Sequence, residues 1–398
     1  THVHVNDPGR ADWEGFEHAT RAAAAGGVTT IVDMPLNSIP ATTTARALEA
    51  KVAAAQGRCW VDVAFWGGLV PGNAGELDAL AASGVVGFKA FLSPSGVPEF
   101  AHVSRADLAA AAPALQRAAL PLLVHAEEPA VLDEIALDPA ADPRHYATWL
   151  ASRPPSAEMQ ALAALVTFAR VHNVHVHVVH LASGDLWPVV RDARGKGWSV
   201  SAETCPHYLT FAAEEIADGA TEFKCAPPIR ERAHREGLWE GLRAGAIHVI
   251  ASDHSPCPPA MKLRERGDFA QAWGGIASLE LSLAAVWTGA RERGATPSDV
   301  VRWMSAMPAR LAGLRKRKGA IAPGYDADLV VWNPDASAVV DATKLHQRHP
   351  VTPYAGRTLR GRVHRTYVSG HLAYHAGRFG DPRGETLLRT VASDDERG

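Results

Sequence analysis

The chain has 398 residues, of which 47% are hydrophobic and 21% are charged, so it is long enough to bury a large core. Its formal net charge of −3 argues against nucleic acid or an anionic membrane surface as a partner, because both select for basic patches. No uninterrupted apolar run reaches the roughly 20 residues that a membrane-spanning helix needs.

Eight short apolar or β-branched runs alternate with alanine-rich stretches that have helical spacing, such as EGFEHATRAAAAGG and SRADLAAAAPALQRAA. The runs lie near residue 3 and at 28–34, 60–66, 85–92, 120–126, 174–181, 198–203 and 247–253. Eight alternations of strand and helix predict a TIM-type (β/α)8 barrel, whose strands are apolar because both of their faces are buried. Because no short repeat accompanies this order, a solenoid is not expected.

The pattern changes after a helix predicted at about 276–293. A section rich in glycine and proline, KGAIAPGYDADLVVWNP, is followed by short runs that predict separate strands: DLVVW, SAVVD, RVHRTYVSG and HLAYH. We therefore predict two domains, a barrel over residues 1–318 and a small appended β-sandwich domain over 319–398. The polar tail at 392–398 is expected to be disordered.

Polar residues stand where the predicted barrel strands end, and active sites of such barrels lie at that end. His2 and His4 are two apart on the first strand, so their side chains point the same way and could chelate a metal, although an HxH pair also arises by chance. Four further residues close later strands: Lys89, His125, His180 and Asp253. Each alone could be a satisfied polar residue, but together they predict a zinc site, since zinc favours imidazole and carboxylate ligands.

Lys89 needs a separate explanation, because a protonated amine has no acceptor and would be repelled by a metal ion. Its apolar surroundings should lower its pKa and favour the neutral amine. A neutral amine can add carbon dioxide and give a carbamate, an anionic group able to bridge two metals. The residues by themselves favour the other interpretation, an ordinary lysine packed at the edge of the core.

Several motifs are more specific than these patterns. They include HVHVNDPGRADWEGFEHATRAAAAGGVTTIVDMPLN, GVVGFKAFL, VHAEE, HLAS, ETCPHYL, KCAPPIR, SDHSPCPPAMK and KGAIAPGYDADLVVW. With them, the chain resembles the cyclic amidohydrolases, a family of dihydroorotases, hydantoinases, dihydropyrimidinases and allantoinases, and it looks most like the allantoinases. The resemblance runs from residue 1 to about residue 385.

The resemblance implies a cofactor set of two zinc ions and one carbon dioxide, which is held as a carbamate on Lys89. His2, His4 and Asp253 would bind the buried ion, and His125 and His180 would bind the more exposed one. The carbamate of Lys89 would bridge the two ions.

The resemblance also implies how the reaction proceeds. A hydroxide activated by the two zinc ions would attack the ring carbonyl, and Asp253 would carry the proton to the leaving ring nitrogen. Backbone groups near Ala226 and Gly274 would bind the ring amide. His207, in CPHYL, is a further candidate at the barrel mouth, with packing an equally supported role.

Three features favour allantoin, converted to allantoate, over other cyclic ureides. The openings NDPGRADWEGF and DMPLN match allantoinases, and the loop SPSGVPEF after Lys89 lacks the tyrosine that hydantoinases and dihydropyrimidinases place there. Ala226 stands where those relatives often have serine, although the family uses the backbone at this position. Activity on another hydantoin or dihydropyrimidine ring is the alternative. A non-catalytic scaffold is disfavoured, because all six ligand positions carry competent residues.

Cysteine usage and the resemblance suggest the setting of the protein. Four scattered cysteines without a CxxC pair indicate reduced thiols and a cytoplasmic protein. The resemblance implies a homotetramer that acts on a small molecule. The sequence starts at Thr1, inside the first predicted strand, where the family has a further segment contributing strands to the small β domain, so we expect those strands to be missing from this sequence.

Overall fold

The computed structural model describes residues 1–135 and 140–390, so the tail predicted at 392–398 lies outside the described residues. Its strands are β1 Thr30–Asp33, β2 Asp62–Phe65, β3 Gly67–Gly68, β4 Phe88–Phe91, β5 Leu122–His125, β6 Val176–Val178, β7 Val200–Thr204, β8 Val249–Ile250, β9 Leu329–Val339, β10 Thr358–Val368, β11 His371–His375 and β12 Arg378–Phe379. Its α-helices are α1 Phe16–Ala25, α2 Ala45–Ala55, α3 Leu77–Ala82, α4 Arg105–Ala118, α5 Pro129–Glu134, α6 Tyr146–Ala151, α7 Pro155–His172, α8 Trp187–Gly195, α9 Pro206–Thr210, α10 Arg232–Arg243, α11 Ser282–Glu292, α12 Pro297–Val301 and α13 Met307–Leu311. Among these helices none is both long and apolar enough to cross a membrane.

Parallel strands close into a barrel in the order in which they occur along the chain. Strands β3 to β8 form one parallel sheet, and β1 pairs in parallel with β2, which only Trp66 separates from β3. Val3 closes the ring by bridging Asp33 on one side and His254 on the other. The predicted (β/α)8 barrel is therefore confirmed.

The first predicted strand is the shortest, since it is reduced to the bridge at Val3. Two backbone hydrogen bonds hold it in the barrel, from His4 N–H to the His254 carbonyl (2.9 Å) and from Met34 N–H to the Val3 carbonyl (2.8 Å). The other seven predicted runs each overlap a strand of the barrel. Strands β2, β4 and β5 are buried at every position, as expected for parallel strands whose outer faces are covered by helices.

The C-terminal part is a four-stranded antiparallel sheet in the order β12-β11-β10-β9. The prediction of separate strands at DLVVW and SAVVD was wrong, because the single strand β9 runs through both segments. Proline interrupts ladder hydrogen bonds, but β9 lies at the edge of the sheet, where Pro334 is tolerated. The sheet packs on the barrel helices, with the Thr366 hydroxyl donating to the Ala24 carbonyl at 2.6 Å. A barrel with an appended β domain is thus confirmed.

A buried ammonium connects the two parts close to the boundary that we predict near residue 318. Lys318 Nζ donates to Asp62 in β2 (2.5 Å) and to Asp328 (2.7 Å), and it lies 3.0 Å from Asp326. Burial alone would lower the pKa of Lys318, but these carboxylates raise it, so the lysine stays charged. The boundary itself remains a prediction.

Candidate metal centre

The six predicted ligand residues lie together at the C-terminal end of the barrel. They are His2 and His4 on either side of Val3, Lys89 in β4, His125 at the end of β5, His180 after β6 and Asp253 after β8. All six side chains are buried. Because the carboxyl ends of parallel strands meet at one end of a barrel, residues far apart in sequence come into contact there.

His2, His4 and Asp253 form one group. Asp253 Oδ1 lies 3.2 Å from His2 Nε2 and 3.3 Å from His4 Nε2, and the three side chains offer donor atoms within 4.8 Å of one another. Burial alone would raise the pKa of Asp253, but the hydrogen bond from His4 keeps it well below its ordinary value. The carboxylate is therefore ionised and available to a cation.

The hydrogen bonding of His2 indicates that this group can bind a cation. His2 Nδ1–H donates to Glu203 Oε1 at 2.5 Å, and burial lowers the pKa of His2, so its ring is neutral. A neutral ring with its proton on Nδ1 has a lone pair on Nε2. That lone pair faces the Asp253 carboxylate, and two acceptors 3.2 Å apart repel each other unless a cation lies between them.

His125 and His180 form a second group. His125 Nε2–H donates to Glu127 at 2.6 Å, which leaves a lone pair on Nδ1, 3.0 Å from His180 Nε2. Arg153 holds Glu127 through two of its nitrogens, at 2.9 and 2.5 Å. Burial lowers the pKa of both histidines, so both rings are neutral and able to bind a metal.

Lys89 lies among these groups without a hydrogen-bond partner in the described part of the chain. Its side chain is fully buried, and Nζ is 4.7 Å from the centre of the Phe91 ring, which stacks on His125. Burial lowers the pKa of Lys89 to about 7. An amine that is partly neutral and lacks a partner can react with an electrophile such as carbon dioxide.

A chain of hydrogen bonds runs from His2 towards the other end of the barrel. His177 Nε2–H donates to Glu203 at 3.1 Å, and the Ser201 hydroxyl lies 2.8 Å from His177 Nδ1 and 2.7 Å from His175 Nε2. One arrangement of donors satisfies every contact: Ser201 accepts from His175 and donates to His177, and Glu203 accepts at both of its oxygens. Burial alone would raise the pKa of Glu203, but His2 and His177 lower it. The charge that orients His2 is therefore fixed.

A buried ion pair supports the segment that follows His180. Glu158 accepts hydrogen bonds from the backbone N–H groups of Ala182 (3.0 Å) and Ser183 (3.2 Å), and Arg230 donates to it at 2.8 and 2.6 Å. His180 itself has a φ of 40°, a left-handed conformation that costs on the order of 1–3 kcal/mol outside glycine. Asp253 shares this conformation, with a φ of 44°. The surrounding contacts hold both residues in it.

The two predicted substrate-binding segments lie side by side. A Cβ atom on Gly274 would stand 3.9 Å from the Cα atom of Cys225, the residue before Ala226, and Gly275 N–H donates to the Lys224 carbonyl at 2.8 Å. His207 is fully buried, and burial lowers its pKa to about 4. The roles predicted for Ala226, Gly274 and His207 remain predictions.

Sequence reasoning missed the partners that orient the predicted ligands. Glu203 closes the run WSVSAE, and its alternation with Ser201 could have placed both on the inner face of β7. Glu127 follows His125 by two residues, a spacing that could also have suggested a contact. No comparable signal identifies Arg153 or Glu158, since each reaches its partner only through the folded loops.

Comparisons with known proteins agree with this geometry. Residues 1–373 match the model of the amidohydrolase family. The chain is 50% identical over 389 residues to an allantoinase from Streptomyces avermitilis (98% of this chain, 86% of the relative), and 46% identical over 405 residues to an allantoinase from Arabidopsis thaliana (98% and 79%). It is also similar to the structure of an L-hydantoinase from Arthrobacter aurescens, with a TM-score of 0.92, 30% identity and coverage of 98% and 87%. The chain belongs to the amidohydrolase family.

Proposed function

We propose that this protein hydrolyses the cyclic amide bond of allantoin to give allantoate, at a centre of two zinc ions. The observation that carries the proposal is the buried position of His2, whose Nδ1 contacts Glu203 at 2.5 Å while its Nε2 lies 3.2 Å from the Asp253 carboxylate. Metal dependence is a property of the family, and a cyclic ureide is the class of substrate that its relatives indicate. We choose allantoin as the substrate because two relatives, at 50% and 46% identity, are named allantoinase.

Two sets of residues would hold the ions. His2, His4 and Asp253 would bind one zinc ion, and His125 and His180 would bind the other. Zinc fits these residues because it accepts imidazole nitrogen and carboxylate oxygen without a strong preference of geometry. Glu203 and Glu127 would orient the rings by accepting their outer N–H groups (2.5 and 2.6 Å), an arrangement common around metal-binding histidines.

Lys89 would bridge the two ions as a carbamate. In forming it, the neutral amine would bond to the carbon of carbon dioxide, one carbon–oxygen π bond would open onto oxygen, and one amine proton would leave to solvent. The product would be an anion whose two oxygens can act as metal ligands. The support for this step is the buried and unpartnered state of Nζ within the described residues.

When bound, the zinc ions supply a water-derived nucleophile at neutral pH and polarise the ring carbonyl. Asp253 would hold the proton given up by the nucleophile and then donate it to the leaving ring nitrogen. Backbone groups near Ala226 and Gly274 would hold the ring amide in place. Two buried lysines brace that loop, with Lys224 donating to the Ala272 carbonyl (2.6 Å) and Lys262 to the Trp273 carbonyl (3.0 Å).

We also propose that the enzyme is a cytoplasmic homotetramer. The family resemblance supports a homotetramer, and four free, buried cysteines are compatible with a reducing, cytoplasmic location.

A panel of three rings tests the substrate. Purified protein is given allantoin, hydantoin and dihydrouracil under the same conditions, and the rate of ring opening is measured for each. We expect allantoin to be opened fastest by kcat/KM. Faster opening of hydantoin or dihydrouracil would favour the alternative activity, for which the similarity to an L-hydantoinase structure is the specific support.

A further inference from the structure

A second group of possible metal ligands lies beside the proposed zinc centre. Cys205 and His207 follow strand β7, and together with Asp253 they offer donor atoms that lie within 4.8 Å of one another. The Cys205 and His207 side chains are fully buried, and Asp253 is 7% exposed. The two groups share Asp253 but no other residue.

The surroundings of His207 independently indicate that this group binds a ligand. Neither of its ring nitrogens has a hydrogen-bond partner among the described residues, although both are buried. Its contact with the Tyr208 ring, at 4.2 Å between centroids, explains the packing of the ring but satisfies neither nitrogen. A buried polar group without a partner costs free energy, so such groups in folded proteins call for an explanation.

We propose that Cys205, His207 and Asp253 form a further cation site, which takes a thiophilic divalent ion such as cadmium or surplus zinc and thereby inhibits the enzyme. Thiolate and imidazole select zinc and cadmium over magnesium and calcium, which prefer oxygen ligands. On binding, a bond forms between the ion and Cys205 Sγ, and the thiol proton leaves to solvent. The ion takes one of the two unpartnered ring nitrogens of His207 as a ligand.

Inhibition follows from the shared carboxylate, and this step rests on the proposed function. Asp253 is the residue that we assign to proton transfer. An ion that holds its carboxylate against Cys205 and His207 removes the basic site from the reaction. Binding of the ion does not depend on that assignment, because the site is built from side chains that are present whatever the substrate.

The test is a titration of the zinc-loaded full chain with cadmium chloride. Thiolate-to-cadmium charge transfer gives an ultraviolet absorption band, which is followed together with the rate of allantoin hydrolysis and the zinc content. We expect the absorption band to reach its full height when about one cadmium ion is bound per chain. Turnover should fall on the order of 10²-fold, which is the lower end of the range for loss of a positioned general acid–base. Zinc should stay bound throughout the titration.

Three variants decide the assignment. Cys205→Ser should abolish the band and the inhibition, whereas Cys59→Ser should retain both, since that buried thiol lies against helix α2 and donates to the Ala55 carbonyl. His207→Gln should keep the band and weaken cadmium binding by roughly tenfold or more, as expected when a metal contact is lost. It also provides a test if Cys205→Ser fails to fold.

The other possible results of the cadmium titration either overturn the site or support it. No band in the unmodified protein, or a band that survives in Cys205→Ser, overturns the site. Inhibition without a band, accompanied by loss of zinc, also overturns it, because cadmium has then replaced zinc at the main centre. A band that appears in a protein unable to open allantoin supports the site and contradicts the proposed function.

Discussion

Replacing Lys89 by alanine should remove the bridge between the two ions and nearly all hydrolysis. The structure gives a magnitude for the chemistry of the natural residue. An ordinary lysine, with a pKa near 10.5, has about one neutral amine in 3,000 at pH 7, whereas a pKa of about 7 leaves roughly half of the amine neutral. Burial therefore increases the fraction that can react with carbon dioxide on the order of 10³-fold.

The direction of the pH dependence follows from this shift. The neutral amine predominates above its pKa, so carbamate formation in the metal-free protein should rise as the pH increases through about 7. The assay is to strip the metal, add zinc with or without bicarbonate at several pH values, and measure recovered allantoin hydrolysis. We expect bicarbonate to accelerate recovery, with a midpoint near pH 7 and no further rise near the pKa of a free lysine.

Two variants provide the controls for Lys89. Short carboxylic acids should partly restore Lys89→Ala, because they supply the missing pair of oxygens. Lys89→Arg should stay inactive, since its guanidinium remains protonated and does not react with carbon dioxide. Near-normal turnover of Lys89→Ala with its metal bound, or recovery that is indifferent to bicarbonate, would refute the bridging role.

Three further substitutions test other parts of the site. Glu203→Gln removes the charge that orients His2, and we expect it to weaken zinc binding by roughly 10–100-fold in competition with a chelator. Asp253→Asn keeps one ligand oxygen but loses the basic site, so turnover should fall by on the order of 10²–10⁴ while measured zinc content falls only modestly. Arg230→Met leaves Glu158 buried without its cation, which should lower the free energy of unfolding in urea by about 3–5 kcal/mol.

Matched variants separate these effects from general damage. His248→Asn changes a partly buried imidazole that lies outside the chain of hydrogen bonds from His175 to His2, so zinc affinity should not change. Arg117→Ala breaks an ion pair with Asp78 in which both side chains are exposed, and it should leave urea unfolding unchanged. Unchanged zinc affinity in Glu203→Gln, or full zinc with nearly intact turnover in Asp253→Asn, would contradict the assigned roles.

The sequence predicts the barrel and the convergence of its six polar residues, because both depend on a repeating order that is visible in the chain. Once strands and helices alternate eight times, the strand ends must meet, and His125 and Asp253 must lie at the same end. The same reasoning cannot find the contact between His2 and Glu203, whose positions differ by 201 residues. That contact depends on which inward-facing side chains meet across the barrel, and strand order alone leaves this undetermined.

Other contacts depend on loops that carry no periodic signal. Arg153 lies between α6 and α7, and only the folded loop aims its guanidinium at Glu127. The division of β9 into two predicted strands fails for a different reason. Pro334 ordinarily ends a strand, but an edge strand has a side without ladder hydrogen bonds, where the missing N–H costs little.

The central claim is that allantoin hydrolysis requires two metal ions held by these residues. The most direct measurement removes all metal from the protein, adds zinc back in steps, and records bound zinc and allantoin hydrolysis on the same sample. We expect activity to disappear with the metal and to return fully as bound zinc approaches two ions per chain. Undiminished hydrolysis by the metal-free protein, or full activity with no bound zinc, would contradict the account.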